Sequence, residues 1–147
     1  MHNEGIMPEI KLLGSADLDL LSNVAADVFD DPIVPSAAQE FLKDPRHRLV
    51  VALEKNLVVG FVSAVLYLHP DKASPELWIN EIGVSPEYQQ RGIGKALLQF
   101  LLDHAKQSGC TEIWVLTDRS NLAAMAMYKS VGGVETLPDP TMFTFLF

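Results

Sequence analysis

The chain has one cysteine in 147 residues, Cys110. No disulfide can close within it, and a reducing compartment, by default the cytoplasm, is expected. Cys110 itself opens an apolar run and reads as a small core residue. The four histidines, His2, His47, His69 and His104, share no ligand spacing, so no metal site is expected. No apolar run approaches the ~18–20 residues that span a bilayer, and residues 1–20 lack a signal-peptide core. Positive charge is scarce as well: 11 Lys and Arg stand against 19 Asp and Glu, a formal net charge of −8. That disfavours a nucleic-acid partner, which calls for a basic face. It suits a cationic small substrate drawn in by long-range attraction, although solubility alone also accounts for an acidic chain.

What is present is an ordinary globular composition, 48% hydrophobic and 20% charged, long enough for one domain with one core over residues 1–147. Met1 to Ile6 read as flexible, and Met7-Pro8 makes an equally good start. A short strand Glu9–Leu13 leads to a turn, then a helix over Ala16–Phe29 with Ser15 as its cap; Leu18, Leu21, Val24, Ala25 and Val28 supply its apolar face. Asp30-Asp31-Pro32 ends it, and a second helix runs from Pro35 to about Lys43. Two β-rich runs, Arg48–Glu54 and Leu57–Tyr67, meet at Lys55-Asn56 as a hairpin. After a proline-bounded loop come a strand Glu76–Val84, a glycine-bearing turn and a helix from about Gly92 to Gln107, capped by Gly109. A strand Thr111–Thr117, a helix Leu122–Ser130 ended by Gly132-Gly133, a loop around Pro138 and Pro140, and a last strand Thr141–Phe147 complete the chain. This order is that of a mixed α/β sheet protein.

The turn Gln89-Gln90-Arg91-Gly92-Ile93-Gly94 is the feature that carries function. A strand that feeds a glycine turn and a helix N-terminus presents unpaired N–H groups to an anion. A P-loop would need Ser or Thr after Gly94-Lys95, where Ala96 stands, and a dinucleotide fingerprint would need Gly at 97, where Leu stands. The remaining pattern, Gln-x-x-Gly-x-Gly after a strand ending in Val-Ser-Pro-Glu-Tyr, resembles motif A of the GNAT superfamily of N-acetyltransferases, which cradles the pyrophosphate of acetyl-CoA. The resemblance covers essentially Pro8 to Phe147. It implies a GNAT fold: a central, mostly antiparallel sheet with two splayed strands and flanking helices. It implies acetyl-CoA as cofactor, held by Gln89, Gln90, Arg91, Gly92, Ile93, Gly94 and Lys95 at the pyrophosphate. Ile82, Gly83 and Val84 would meet the pantetheine arm through main chain, and Asn121 through its side chain.

Acetyl transfer from a thioester to an amine needs a neutral amine, donors for the oxyanion and a proton for the leaving thiolate. Tyr128 lies seven residues after Asn121, on one face of the same helix. By resemblance Tyr128 would protonate the CoA sulfur, as a phenol of pKa ~10 can for a thiolate whose parent is near ~8.5. Glu81 is the candidate base, acting directly, through a water, or simply by holding an ammonium. Strand alternation puts 77, 79, 81 and 83 on one face and 78, 80, 82 and 84 on the other. The backbone N–H near Val84 would face the oxyanion. Trp78 and Trp114 are expected to pack on sheet faces, with Trp78 a candidate border of the acceptor cleft.

For the acceptor, Asp30, Asp31, Glu81 and Asp118, with Glu135 or Asp139, would form an acidic cleft suited to a polyamine or amino sugar. The tail Ala126–Gly133, followed by Thr141–Phe145, is similar to type I aminoglycoside 3-N-acetyltransferases. Those enzymes carry an acidic residue where Glu81 stands, often Asp, and an Asp where Asp118 stands. That resemblance implies acetylation of the 3-amino group of an aminoglycoside antibiotic. Acetylation of a polyamine, a metabolite amine or a protein N-terminus, and a non-catalytic acetyl-CoA-binding module, are the alternatives. Family members are often dimers, and the apolar run Met142–Phe147 suits a subunit contact, so a homodimer is expected.

Overall fold

Lys55 and Asn56 sit at φ 48° and 65°, the pair of left-handed residues that a two-residue hairpin needs to match the twist of its strands. They join β2 (His47–Glu54) to β3 (Leu57–Tyr67), and this hairpin is the centre of the sheet. The structure is a computed structural model that describes residues 6–137 and 139–147; Met1–Gly5 of the expected flexible start, and Pro138, lie outside them. Around the hairpin stand β1 (Glu9–Leu12), β4 (Glu76–Val84) and β5 (Glu112–Val115), in the order β1-β2-β3-β4-β5. All pairs are antiparallel except β4–β5, which is parallel.

The helices cover both faces. On one, α2 (Ile93–Gln107) buries Ile93, Leu97, Leu98, Leu101 and Ala105 against Val50, Val59, Val62, Ala64, Leu77 and Ile79. Each buried Val, Leu or Ile among them stabilises the fold by roughly 1.5–3 kcal/mol, so this layer anchors the end of the chain's glycine turn. Cys110 is buried in the same layer, as its position suggested. On the other face, α1 (Pro35–Lys43) and the N-terminal segment cover Leu49, Val51, Leu53, Val58 and Phe61. α3 (Leu122–Ser130) packs at the rim of the α2 layer through Met127 and Tyr128.

Four expectations need correction. The helix over Ala16–Phe29 is a 3₁₀ segment, Ser15–Ser22, and its N-cap is Gly14 rather than Ser15. Beyond it the backbone is taken by the sheet: Val58 N–H donates to Asn23 O and Ala25 N–H to Val58 O, each at 2.9 Å. Leu21 and Val28 are still buried, which is why their spacing imitates a helix. The strand Thr111–Thr117 narrows to Glu112–Val115. The terminal run Thr141–Phe147 is not a strand; Met142, Phe143, Phe145, Leu146 and Phe147 are at least 81% exposed. High β-propensity does not make a strand without an edge to pair with. Finally, Glu81 does not share a face with Leu77 and Ile79. Ser63 pairs with Glu81 but the next residue, Ala64, pairs with Ile79, so Asn80 is a bulge. The extra residue reverses the alternation and turns Glu81 to the face of Trp78.

Candidate active site

β5 pairs with β4 only from Glu76 to Ile79. Beyond Ile79, β4 runs on to Val84 while β5 stops at Val115, and the two chains part. Ser85 N–H donates to Val59 O at 2.9 Å, which makes Ser85–Val59 a hydrogen-bonded pair. By antiparallel alternation, Ile82 and Val84 then turn their N–H and C=O groups away from β3 and into the gap, whereas those of Gly83 are directed to Phe61. Of the three main-chain positions expected to meet the pantetheine arm, Ile82 and Val84 are thus the open ones. The carbonyl of Val84 accepts from Gln89 Nε2 at 3.0 Å.

At the end of β4, Pro86–Tyr88 form a 3₁₀ turn and Gln90 and Gly92 take left-handed φ of 62° and 79°. The first α2 bond runs from Ala96 N–H to Gly92 O at 3.0 Å, so the N–H groups of Ile93, Gly94 and Lys95 precede it and point out of the helix start. The turn is braced by Arg91, which donates to Glu87 O at 2.9 Å and lies 5.0 Å from the ring of Tyr88. Ile93 is buried, so only its main chain can serve a ligand. Gly94 packs against α3, where an added Cβ would stand 3.1 Å from Met127 Sδ. A diphosphate with cationic Arg91 and Lys95 beside it, and an extended arm along Ile82 and Val84, fit these donors.

The gap opens into a cleft of about 710 Å³. Among the expected residues, Asp30, Glu81, Ile82, Gly83, Val84, Gln89, Asp118, Asn121 and Tyr128 line it. Asp31 does not, nor do Gln90 to Lys95, which stand beyond its end. Glu135 is drawn away into an ion pair with Arg119. Asp27 lines the cleft and was not expected there; it sits at φ 58°, a conformation that Asp tolerates better than most residues. Its placement follows from two contacts of the N-terminal segment with the end of β4. Ser85 Oγ donates to Ala26 O at 2.7 Å, and Val28 O lies so close to Gly83 that an added Cβ would meet it at 2.4 Å. The only signal for Asp27 was the acidic run itself, masked by a helical spacing.

Tyr128 is half-buried on α3, and burial pushes its phenol above the usual tyrosine value. It therefore keeps its proton through the neutral range, as a proton donor must. Asn121 is the N-cap of α3, its Oδ1 accepting from Ala124 N–H at 3.1 Å, which leaves its Nδ2 for a ligand. Glu81 is exposed at the mouth, opposite Ser63. The cleft thus brings together a main-chain cradle, a carboxylate and a protonated phenol. Among the described residues no group of three or more His, Cys, Asp or Glu side chains is placed to hold a metal ion.

A profile of the acetyltransferase (GNAT) family matches residues 18–132. The chain belongs to the GNAT family. It is an N-acetyltransferase of that family, with acetyl-CoA as its donor. It is 37% identical over 126 residues, 84% of this chain and 76% of the relative, to N-alpha-acetyltransferase RimI of Mycobacterium tuberculosis. A ribosomal protein bS18-alanine N-acetyltransferase of Escherichia coli is 40% identical over 57 residues, 39% of this chain and 38% of that protein. Among solved structures, an aminoglycoside acetyltransferase from an uncultured soil metagenomic sample, in complex with sisomicin, superposes with a TM-score of 0.80 at 21% identity, covering 95% of this chain and 96% of that one. The GNAT fold, with its splayed β4 and β5, is the architecture these likenesses share.

Proposed function

We propose that this GNAT enzyme acetylates a primary amine of a cationic small molecule, the 3-amino group of an aminoglycoside being the leading acceptor. The observation that carries the reading is the carboxylate set Asp27, Asp30, Glu81 and Asp118 on one cleft, in a chain of net charge −8. These side chains attract and hold ammonium groups. Glu81 takes the proton of the reacting amine, directly or through one water, and Tyr128 returns a proton to the sulfur on the opposite side. Acetyl-CoA supplies a thioester carbonyl open to attack by the neutral amine. Ile82 and Val84 orient the arm that carries it, Asn121 donates to it, and the turn Gln89–Lys95 holds its diphosphate. The N–H of Val84 faces the carbonyl oxygen.

A second reading, transfer to a protein N-terminus, is supported by the 37% identity with the mycobacterial RimI. The test is release of free CoA with kanamycin, gentamicin, spermidine and an Ala-initiated peptide as acceptors. Turnover of an aminoglycoside at a kcat/KM well above that of the peptide is expected; the reverse order gives the second reading. Among the described residues no helix is long and apolar enough to cross a membrane, and a cytoplasmic enzyme is part of the proposal. So is a homodimer, supported by the exposed apolar run Met142–Phe147. Sedimentation should show a dimer that becomes monomeric when 141–147 are removed.

A further inference from the structure

Trp78 and Trp114 are the only two tryptophans of the sequence, and they stack on each other across β4 and β5, with centroids 5.2 Å apart and planes 10° from parallel. The stack is held from behind. Trp114 Nε1 donates to Tyr67 Oη at 2.5 Å, and Tyr67 also stands edge-on to Trp114 and to His69. His69 in turn pairs with Glu76. One indole face of Trp78 is therefore occupied by a buttressed partner, yet the residue is 37% exposed.

The bulge at Asn80 decides what lies in front of it. Ser63 and Val65, two residues apart on β3, pair with Glu81 and Trp78. Glu81 and Trp78 are thus adjacent same-face positions, about 7 Å apart along the strand. The negative face of an indole attracts a cation within about 6 Å of the ring, and the acceptor proposed above carries several.

We propose that Trp78 reads the acceptor: its exposed indole, beside the cleft rather than among the residues that line it, holds a second ammonium group, one strand repeat from the amine received by Glu81. This rests on the reading of Glu81 as the amine-binding carboxylate. It makes the enzyme selective for acceptors with two amines at that separation, cyclic or linear, over those with one. The carboxylates attract any cation, whereas the Glu81–Trp78 pair fixes a spacing.

The location of both tryptophans makes the test direct. In titrations of the wild-type protein, kanamycin and spermidine should change tryptophan emission saturably, and glucosamine, with one amine, should not. In CoA-release assays Trp78→Ala should raise KM for the polyamines by about three- to thirty-fold, with Trp78→Phe intermediate because it keeps a ring. KM for glucosamine and for acetyl-CoA should not follow. A response to kanamycin but not spermidine would mean that ring shape selects, and would overturn the proposal. So would equal shifts for glucosamine and the polyamines, or no shift for either. Absence of turnover with every acceptor would instead remove the proposed function, while the emission titration would still decide whether a second ammonium is held here.

Discussion

On one wall of the cleft Ile82 and Val84 present main chain, continued beyond its end by the start of α2; on the other, Asp27, Asp30, Glu81 and Asp118 present carboxylates. The first wall is rigid because both its ends are fixed by the buried α2 layer and the β3–β4 ladder. The second depends, at Asp27 and Asp30, on the N-terminal segment held over β4 by Ser85 and by the close approach of Val28 to Gly83. The difference teaches where each is vulnerable. A main-chain wall tolerates changes of side chain but not an added Cβ where two backbones touch. A side-chain wall loses function by loss of a group and keeps its fold.

The largest expected effect breaks both walls at once. Gly83→Ala would press a methyl group into Val28 O and Phe61. It should cost about 3 kcal/mol, the upper end for overpacking, and lower the melting temperature by about 10 °C. Next, Tyr128→Phe should lower kcat about 100-fold, the scale of one lost proton donor, with KM for acetyl-CoA nearly unchanged. Because burial raises the Tyr128 pKa, the wild-type rate should lose this donor only above pH ~10, and the variant should lack that alkaline limb. Unchanged turnover would remove Tyr128 from the mechanism. Gly92→Ala meets no atom within 4 Å, but φ is 79°. It should cost about 1–2 kcal/mol of stability through backbone strain alone, and weaken acetyl-CoA binding seen by calorimetry.

The smallest effect lies outside the cleft. Burial, with Arg48 nearby, holds His104 below the usual imidazole value, and Arg48 Nε donates to its Nε2 at 3.1 Å. A depressed folded-state pKa means stability that is present above pH ~6.5 and lost as pH falls through the lower folded value. Denaturant midpoints of wild type and His104→Gln should therefore approach each other across that acid window. Parallel curves would show that His104 does not titrate on unfolding.

The main-chain wall was also the more legible one. The bounds of β3, β4, α1 and α3 follow from β-rich runs, proline and capping residues, and the structure keeps them to the residue. The carboxylate wall was harder because its determinants are tertiary. Nothing in Leu18, Leu21, Val24 and Val28 distinguishes an amphipathic helix from a segment whose backbone Val58 recruits. Nor could local spacing place Asp27 on the cleft and Asp31 off it. The run Thr141–Phe147 has the composition of a strand, but pairing is not written in one strand alone.

Asn80 has a consequence for how this enzyme can change. Along a strand, inside and outside alternate like parity, and one inserted residue shifts the frame of everything after it. Without Asn80, Glu81 would be aimed at the packed α2 layer, and Ile82 and Val84 at the opposite face, where Val28 and Phe61 close on Gly83. Deleting that single residue would therefore do what no substitution can: exchange the enzyme's carboxylate for its core, leaving every other residue unchanged.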